Sequence, residues 1–194
     1  MTAPVNNPTT ASLIEGCRRR QEAAMSAFYA RFYGYALSVC LAYANDREDA
    51  RELLNDGFLK AFGRIADLKS EAFIKPWLRK IMVNTVIDHY RKKKPIVGVS
   101  TEQIEQTVAE PYHNDEAILA QLSADHILAV LQTLPPAYRM VFSLNVLDGC
   151  AHRDIAEQLH ITESTSRAHL TEANRLLRRA LASQTNLSHE RTKR

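Results

Sequence analysis

Glycine is scarce in this sequence, with six residues among 194. A chain of many short strands needs glycine at its turns, so this scarcity argues against an all-β fold. No GxGxxG or GxxxxGK[ST] motif occurs, which excludes the usual glycine-rich loops for dinucleotides and nucleotide phosphates. We therefore expect a largely helical protein without a nucleotide or other cofactor.

Cysteine is rarer still, with three residues. Cys17, Cys40 and Cys150 are odd in number, far apart and in no CxxC pair, which excludes a disulfide framework and a zinc site. The three thiols are predicted to be reduced, to fill the core as small apolar residues, and to belong to a cytoplasmic protein. No metal ligands are assigned.

Long apolar runs and catalytic constellations are also missing. No stretch of about 18 apolar residues occurs, and no basic-then-apolar leader follows Met1, so neither a membrane span nor a signal peptide is expected. Isolated acids and histidines such as Asp88–His89 and Asp154 lack a nucleophile–base spacing or a metal motif. The chain is not expected to be an enzyme, and no catalytic residues are assigned.

What the sequence does have is an uneven distribution of charge around a net value of +3. Residues 77–94 contain six Lys and Arg against one acid, and residues 95–125 contain six acids and no Lys or Arg. A basic helix end followed by an acidic tether indicates contact with nucleic acid at one place and with a basic surface at another.

Helical periodicity begins after a stretch rich in Asn, Pro and Thr, so residues 1–10 are predicted to form a disordered N-terminus. Three long helical patterns follow. The first carries a stripe of Phe and Tyr, the second follows a capping Asn45 or Asp46, and the third has Pro76 in its first turn. The inner face of the second is predicted to be Ala50, Leu53, Leu54, Phe58, Ala61, Phe62 and Ile65, and that of the third Leu78, Ile81, Met82, Thr85 and Val86. Residues 11–94 are therefore predicted to form one compact domain of four helices with short connections.

Residues 95–116 have no period, a length unusual for a loop inside a compact domain, and are predicted to be an acidic linker. Periodicity then returns, and Pro135–Pro136 opens a helix that stops at Asp148–Gly149. Residues 117–183 are predicted to form a second domain, followed by a basic tail at 184–194. The predicted fold class is all-α, with two small helical domains joined by a flexible linker.

The stretch DIAEQLHITESTSRAHL, from Asp154 to Leu170, has the pattern of a helix-turn-helix. Ala156 is small where two helices must cross, His160 occupies a turn position that often needs positive φ, and Thr162 can cap the second helix. This second helix is expected to offer hydroxyl, cationic and imidazole side chains, including His169, to solvent. Such a cluster near a helix start favours a helix that lies in a DNA groove, although solvated helical hairpins carry similar residues.

Three segments, in this order, resemble bacterial RNA polymerase sigma factors of the extracytoplasmic-function (ECF) family, group IV of the sigma-70 factors. EDARELLNDGFLKAF is similar to the family's core-binding helix, D-x-x-Q-E-x-F, whose places are taken here by Glu52, Asn55, Asp56 and Phe58. WLRKIMVNTVIDHYRKKK is similar to the promoter-melting helix, with an aromatic start and a basic end. LQTLPPAYRMVFSLNVLDG precedes the helix-turn-helix as in the family's region 4. The resemblance covers roughly residues 13–181.

The resemblance implies that residues 11–94 are sigma region 2 and residues 117–183 are sigma region 4. Region 2 of the family binds the clamp helices of the polymerase β′ subunit and melts the −10 element. Region 4 reads the −35 element and touches the β flap. The implied partners are core RNA polymerase, promoter DNA and a membrane-anchored anti-sigma factor, and no small-molecule substrate is implied.

Three sets of residues carry these implied roles. The core-polymerase-binding set is Glu48, Glu52, Asn55, Asp56 and Lys60. The −10 set is Lys69, Ser70, Phe73, Lys75, Trp77, Lys80, Asn84, Asp88, Arg91, Lys92 and Lys93. The −35 set is Thr162, Ser164, Thr165, Arg167, Ala168, His169, Thr171, Asn174, Arg175 and Arg178. Two positions depart from the family's pattern, because Ser166 replaces an apolar residue and Glu172 stands where many members have arginine.

Two other interpretations remain open on the sequence. A stand-alone helix-turn-helix regulator would need a dimerisation or effector domain, and residues 13–94 lack a ligand-binding constellation. A helical adaptor protein, such as an anti-sigma partner, would have the same helical periodicity without polymerase or promoter binding.

Overall fold

The structure is a computed structural model that describes residues 8–93 and 124–191. These residues contain helices and no strand, which confirms the predicted all-α class. They divide into two compact units, with the division between His89 and Tyr90. The predicted linker at 95–116 lies outside the described residues.

The described residues of the first unit form four helices and two short 3-10 turns. The helices are α1 (Thr10–Arg18), α2 (Glu22–Leu41), α3 (Arg47–Gly63) and α4 (Ile74–Lys93), the last of which continues past the division, and the turns are Ile65–Asp67 and Glu71–Phe73. Thr9 and Thr10, inside the stretch predicted to be disordered, cap and begin α1, because the Thr9 side chain accepts a hydrogen bond from the backbone of Ser12.

The start of α3 is fixed by Asp46, one of the two predicted caps. Its carboxylate accepts hydrogen bonds from the backbone N–H groups of Glu48 and Asp49, at 2.9 and 2.8 Å. Two acids in the first turn also interact favourably with the helix dipole. A polar cap thus places the acidic end of α3 at the surface.

Aromatic side chains of α2 and α3 form the centre of the first unit. The ring of Phe28 lies 4.8 Å from that of Phe32 and meets Phe58 edge-on at 6.4 Å. The predicted inner faces are confirmed for most positions, and the buried members are Ala50, Leu53, Leu54, Phe58, Ala61 and Ile65 in and after α3, and Leu78, Ile81, Met82, Thr85 and Val86 in α4. Phe62 is only half-buried.

Gly57 of α3 packs against Met82 of α4. A Cβ atom at this position would lie 2.2 Å from the Sδ atom of buried Met82. Any other residue at this position would therefore displace the end of the Met82 side chain within the core.

The second unit contains α5 (Ala124–Gln132), α6 (Pro136–Phe142), α7 (His152–Leu159) and α8 (Glu163–Arg191). Pro136 occupies the first position of α6, as predicted. A π-helical turn, Ser143–Leu147, extends α6 to the predicted stop, where Gly149 has a φ of 69°. The last helix continues to Arg191, eight residues past the predicted end of the domain at 183.

Cys17 and Cys40 are buried free thiols and Cys150 is half-buried, so the predicted core role is confirmed for the first two. Burial raises the pKa of Cys40 to about 12. Among the described residues, no helix has the length and apolar character needed to cross a membrane.

Candidate polymerase and nucleic-acid interfaces

The acidic face of α3, which we define as Glu48, Glu52, Asn55 and Asp56, is exposed along its whole length. These positions recur at helical spacing, so all four side chains lie on one side of the helix, opposite the buried stripe. Lys60 follows on the same helix and is also exposed. The predicted core-binding residues therefore share one surface.

Leu59 lies at the C-terminal end of this acidic face, one turn after Asn55 and Asp56, and was not predicted from the sequence. Its side chain is 71% exposed, the largest exposed fraction among the large hydrophobic residues described. Burying a leucine side chain contributes about 1.5–3 kcal/mol, so a partner that covers this face gains apolar area as well as charge contacts. An apolar residue that continues the charged side of the helix was the signal that could have identified it.

Two side-chain contacts of α3 with neighbouring helices involve predicted core-binding residues. The Tyr29 hydroxyl is 2.9 Å from Asn55 Oδ1, and Lys60 Nζ is 2.9 Å from Asp88 Oδ2. Lys60 and Asp88 belong to different predicted sets, the first for polymerase and the second for the −10 element. Their ion pair means that the two predicted surfaces adjoin within the first unit.

Asp49, Glu52 and His89 form the cluster of described residues that comes nearest to a metal site, with ligand atoms within 4.8 Å of one another. The distance from His89 Nε2 to Asp49 Oδ1 is 3.8 Å. Two ligands about 2.1 Å from one zinc ion in tetrahedral geometry lie roughly 3.4 Å apart. Asp49 Oδ2 is also held by the backbone and side-chain nitrogens of Asn45. The geometry is that of a half-buried imidazole–carboxylate contact.

The loop before α4 borders a pocket of about 300 Å³ lined by Asp67, Leu68, Lys69, Phe73 and Trp77. Phe73 is 61% exposed and Trp77 is half-buried. Phe73 is therefore not a core residue, and its ring is available for stacking. A pocket with two aromatic side chains and a lysine at its border has the chemistry needed to hold an unstacked base next to a phosphate.

Two residues that were not predicted from the sequence hold this loop and the first turn of α4 in place. Arg18 in α1 donates a hydrogen bond of 2.6 Å to the carbonyl oxygen of Leu68. Tyr35 in α2 donates one of 3.1 Å to the carbonyl oxygen of Lys75, whose ammonium lies 5.7 Å from the Tyr35 ring centroid. Because these contacts span 50 and 40 residues, no local sequence signal could have identified them.

The remaining residues of the −10 set lie along α4 and the loop before it. The exposed ones are Lys69, Ser70, Lys75, Lys80, Asn84, Asp88 and Lys92, whereas Arg91 is half-buried. Lys93 is the last residue of the helix. Most of the cations in this set are thus exposed, while the apolar face of the same helix is buried.

In the second unit, the turn between α7 and α8 has the predicted geometry. His160 is left-handed, with φ 54° and ψ 45°, and the N–H of Ile161 donates to the carbonyl of Ala156 at 3.0 Å. Thr162 caps α8, since its Oγ1 accepts from the backbone N–H of Thr165 at 3.1 Å. Thr162 Oγ1 also contacts the hydroxyls of Ser164 and Thr165 at 2.8 and 2.7 Å.

The exposed side of α8 forms a polar stripe, which we define as Ser164, Arg167, Thr171, Arg175 and Arg178. These residues are three or four apart, so they line one face of the helix over four turns. Ala168, Thr165 and Asn174 are half-buried beside it. Arginine, serine and threonine side chains on one exposed helix face are the groups that contact base edges and phosphates in a major groove.

The prediction that His169 faces solvent is wrong. Its side chain is on the buried side of α8, 7% exposed, with its ring centroid 5.1 Å from that of Tyr138 in α6. Burial lowers the pKa of His169, which favours the neutral ring. Periodicity gives the reason, since His169 is three residues after buried Ser166 and one before buried Leu170.

Ser166, the departure from an apolar anchor, is fully buried and bonded to α7. Its Oγ is 2.9 Å from Nδ1 of His152. Burial, followed by the charge of Arg167, lowers the pKa of His152. A hydrogen bond thus joins the two helices where an apolar contact was expected, and it satisfies both polar groups.

Two arginines of the polar stripe are paired with carboxylates of their own helix. Arg167 is hydrogen-bonded to Glu163, four residues earlier. Arg175 Nε and Nη2 lie 2.9 and 2.8 Å from Glu172 Oε2, and this hydrogen bond raises the pKa of Arg175. Neither pair was anticipated from the sequence.

Comparison with known proteins identifies both units. Residues 28–96 match the model of Sigma-70 region 2, and residues 124–182 match that of Sigma-70, region 4. Together these matches cover more than half of the chain. The two family models follow each other in the order expected from the sequence.

Individual relatives have the same description. The RNA polymerase sigma-H factor of Pseudomonas aeruginosa is 20% identical over 177 residues, covering 87% of this chain and 92% of the relative. The RNA polymerase sigma factor SigV of Bacillus subtilis is 27% identical over 152 residues, with 76% and 82% covered. A solved structure of CnrH in complex with the cytosolic domain of CnrY is 19% identical, with a TM-score of 0.42 over 88% of this chain and 96% of that one.

The two region models and several relatives described as ECF sigma factors agree with the element order and with the helix-turn-helix geometry. Proteins of this family are transcription initiation factors and not enzymes. The chain therefore belongs to the sigma-70 family as an ECF-type sigma factor, which directs promoter-specific initiation of transcription.

Proposed function

We propose that residues 11–94 act as region 2, with the acidic face of α3 binding the clamp helices of the polymerase β′ subunit. The face is exposed and anionic, and the exposed Leu59 lies at its C-terminal end. A basic partner surface with an apolar pocket is complementary to it. Charge then accelerates association, and burial of Leu59 slows dissociation.

The same unit melts the −10 element with the pocket before α4. The energetic cost of unstacking a base is a few kcal/mol. Stacking on Phe73 or Trp77 returns about 1–3 kcal/mol per base, and contacts from Lys69 and the cations of α4 to phosphates supply more. The exposed ring of Phe73 at the border of the pocket is the feature that supports this role.

Residues 117–183 act as region 4, and the observation that carries this assignment is the polar stripe of α8. Thr162 caps the helix, so the stripe begins at the helix N-terminus, where backbone N–H groups favour phosphate. Arg167, in the second turn, is placed to reach a base edge in the −35 element. The acidic residues 95–116 serve as the tether between the two units, and residues 184–194 as a basic end.

Cellular partners follow from these roles. The protein acts in the cytoplasm, where core polymerase and promoter DNA are found. An anti-sigma factor anchored in the membrane holds it inactive by covering the acidic face of α3 or the polar stripe of α8. A pull-down from native lysate, with charge-reversed variants of each surface, identifies this partner and the surface that it covers.

The decisive experiment is reconstituted transcription with core RNA polymerase on fragmented genomic DNA, with the starts mapped by sequencing. We expect specific starts only when the chain is present. Arg167→Ala should reduce −35 discrimination by about 1–3 kcal/mol, as for a base contact. Arg153→Ala, which removes an exposed arginine from α7, is the matched control and should leave sequence preference unchanged.

Three outcomes separate the alternatives. Sequence-specific binding by the free chain without affinity for core polymerase would support a stand-alone regulator. Absence of both activities would support an adaptor. A uniform loss of affinity for all DNA sequences in Arg167→Ala would assign Arg167 to the phosphate backbone and not to a base.

A further inference from the structure

The polar stripe of α8 is bordered by one carboxylate on each side. At about 100° per residue, Glu163 lies on one flank of the line through Arg167 and Thr171, and Glu172 lies on the other. Each carboxylate pairs with an arginine of the stripe. The arrangement places negative charge beside a surface that is expected to meet a polyanion.

The two ion pairs involve the arginines that the proposed function uses. Arg167 and Arg175 are 57% and 49% exposed, and their partners Glu163 and Glu172 are 46% and 26% exposed. Glu163 precedes Arg167 by four residues, the favourable order for a helical pair. Each guanidinium must exchange its carboxylate for a phosphate or a base when the helix enters a groove.

We propose that Glu163 and Glu172 are specificity-determining residues that hold Arg167 and Arg175 away from the phosphates of non-target DNA. This inference rests on the proposed function of α8. Non-specific binding comes almost entirely from cation–phosphate contacts. A carboxylate that competes for the guanidinium, and also repels nearby phosphates, weakens those contacts on every sequence. A target sequence restores the lost affinity through hydrogen bonds to base edges, so the ratio of specific to non-specific affinity rises.

The test uses the full-length chain and fluorescence anisotropy with a random-sequence DNA duplex of roughly two helical turns, over a range of salt concentrations. Glu163→Gln and Glu172→Gln should each bind this duplex about twofold to fivefold more tightly than the parent chain, the value of an exposed ion pair. Their log affinity should also fall more steeply with log salt, because one more cation contacts phosphate. One round of selection from a random library should show weaker enrichment of the preferred sequence.

Glu157→Gln is the matched control, since it removes an exposed carboxylate from α7 and leaves the stripe intact. Its affinity for the random duplex should stay within twofold of the parent. Glu163 also lies in the first turn of α8, where a negative charge stabilises the helix. Melting temperatures of all variants separate that structural effect from the change in DNA binding.

The double variant Glu163→Gln/Arg167→Ala tests whether Glu163 acts through Arg167, separately from the proposed role of α8 in DNA binding. If the carboxylate acts through Arg167, the gain from Glu163→Gln disappears when Arg167 is absent. Equal affinities for Glu163→Gln, Glu172→Gln and Glu157→Gln would overturn the inference, and so would a loss of affinity in the first two. If Arg167→Ala alone has no effect on DNA binding, the proposed role of α8 fails instead.

Discussion

In the first unit the loop beside the pocket is held from a distance, whereas in the second unit the polar stripe is organised within one helix. Arg18 binds the carbonyl of Leu68 in the loop, 50 residues away in the sequence. Tyr35 binds the carbonyl of Lys75 in the first turn of α4, 40 residues away. In α8, the cap and both ion pairs join residues three or four apart. Two surfaces proposed to meet the same DNA thus have different structural origins.

This difference has a practical meaning for how each surface fails. A surface built from tertiary contacts is lost when a remote helix shifts, so residues that touch no partner control it. A surface built from local contacts survives as long as its helix is docked, and it is changed only by substitutions on that helix. The following expectations test this contrast, in order of decreasing effect.

The largest effect is expected for Phe58→Ala. Phe58 is 2% exposed and contacts the rings of Phe28, Tyr29 and Phe62. Its removal should lower the free energy of unfolding of the first unit by about 3–5 kcal/mol. Trp77 is the only tryptophan, so its fluorescence during urea denaturation reports on this unit.

Phe142→Ala is the matched control, because Phe142 is equally buried in the second unit. It should leave the Trp77 transition unchanged while shifting the part of the circular-dichroism signal that comes from the second unit. If both variants shift the Trp77 transition equally, the two units unfold together and the contrast between them is wrong.

A second effect concerns the stability of the second unit below neutral pH. Burial lowers the pKa of His169 from its usual 6.5, so the unfolded chain binds the proton more readily than the folded unit. The stabilisation of the folded unit by neutral His169 is complete above pH 6.5. It is lost as the pH falls toward the lowered pKa of the folded state, by at most about 1.4 kcal/mol per pH unit. His169→Phe keeps an aromatic ring against Tyr138 and should flatten this dependence, measured by urea denaturation followed by circular dichroism.

The difference between the pH profiles of the parent and of His169→Phe gives the effect of His169 alone. Burial raises the pKa of Asp148 to about 6, which gives the opposite sign, because the folded unit then holds the proton more tightly between its usual value of 3.8 and 6. Asp148 and His152 are present in both proteins, so their effects cancel in the difference. An unchanged pH profile in His169→Phe would show that His169 does not contribute.

A smaller effect is expected for Arg18→Ala, which removes the contact with the Leu68 carbonyl. A hydrogen bond of this kind contributes about 0.5–1.5 kcal/mol, and the Arg18 side chain is 39% exposed, which reduces its value. Promoter melting by the holoenzyme should weaken about twofold to tenfold at unchanged polymerase affinity. The permanganate reactivity of unpaired thymines measures the extent of promoter melting.

Arg19→Ala is the control, since Arg19 is 67% exposed and pairs with Glu15 without touching the loop. It should leave melting unchanged. Equal defects in both variants would mean that the charge of α1, and not the position of the loop, affects the promoter.

The smallest effect is expected for the Lys60–Asp88 ion pair. The two side chains are 44% and 51% exposed, so Lys60→Met should lower the stability of the first unit by about 0.2–1 kcal/mol. The loss should vanish at roughly 1 M salt, where charges are screened over about 3 Å. Asp88→Asn should have the same effect, and the double variant should be no worse. A salt-independent loss would instead indicate packing by the Lys60 stem.

The sequence predicted features that depend on local chemistry. The cap at Asp46, the left-handed turn at His160, the cap at Thr162 and the first position of Pro136 are all confirmed, because each depends on residues within one turn of the chain. The buried stripes of α3 and α4 were predicted for the same reason, since their spacing is written in the sequence.

Features that depend on tertiary contacts could not be predicted. His169 was placed on the wrong face because its polarity outweighed its position in the helical period, and only the ring of Tyr138 in another helix shows why it is buried. The bond between Ser166 and His152 and the contacts of Arg18 and Tyr35 have no local signal. When a polar residue has a buried partner, the polarity pattern of the sequence alone places it on the wrong face of its helix.

Gly57 shows how a residue that acts only through packing would appear in a genetic screen. A side chain here would displace buried Met82, although Gly57 lies on neither the acidic face nor the pocket. A screen for inactive alleles would recover such a change together with true contact mutants. Suppressor mutations that shorten the side chain at residue 82 would show that the substitution at Gly57 disturbs packing and does not remove a contact with a partner.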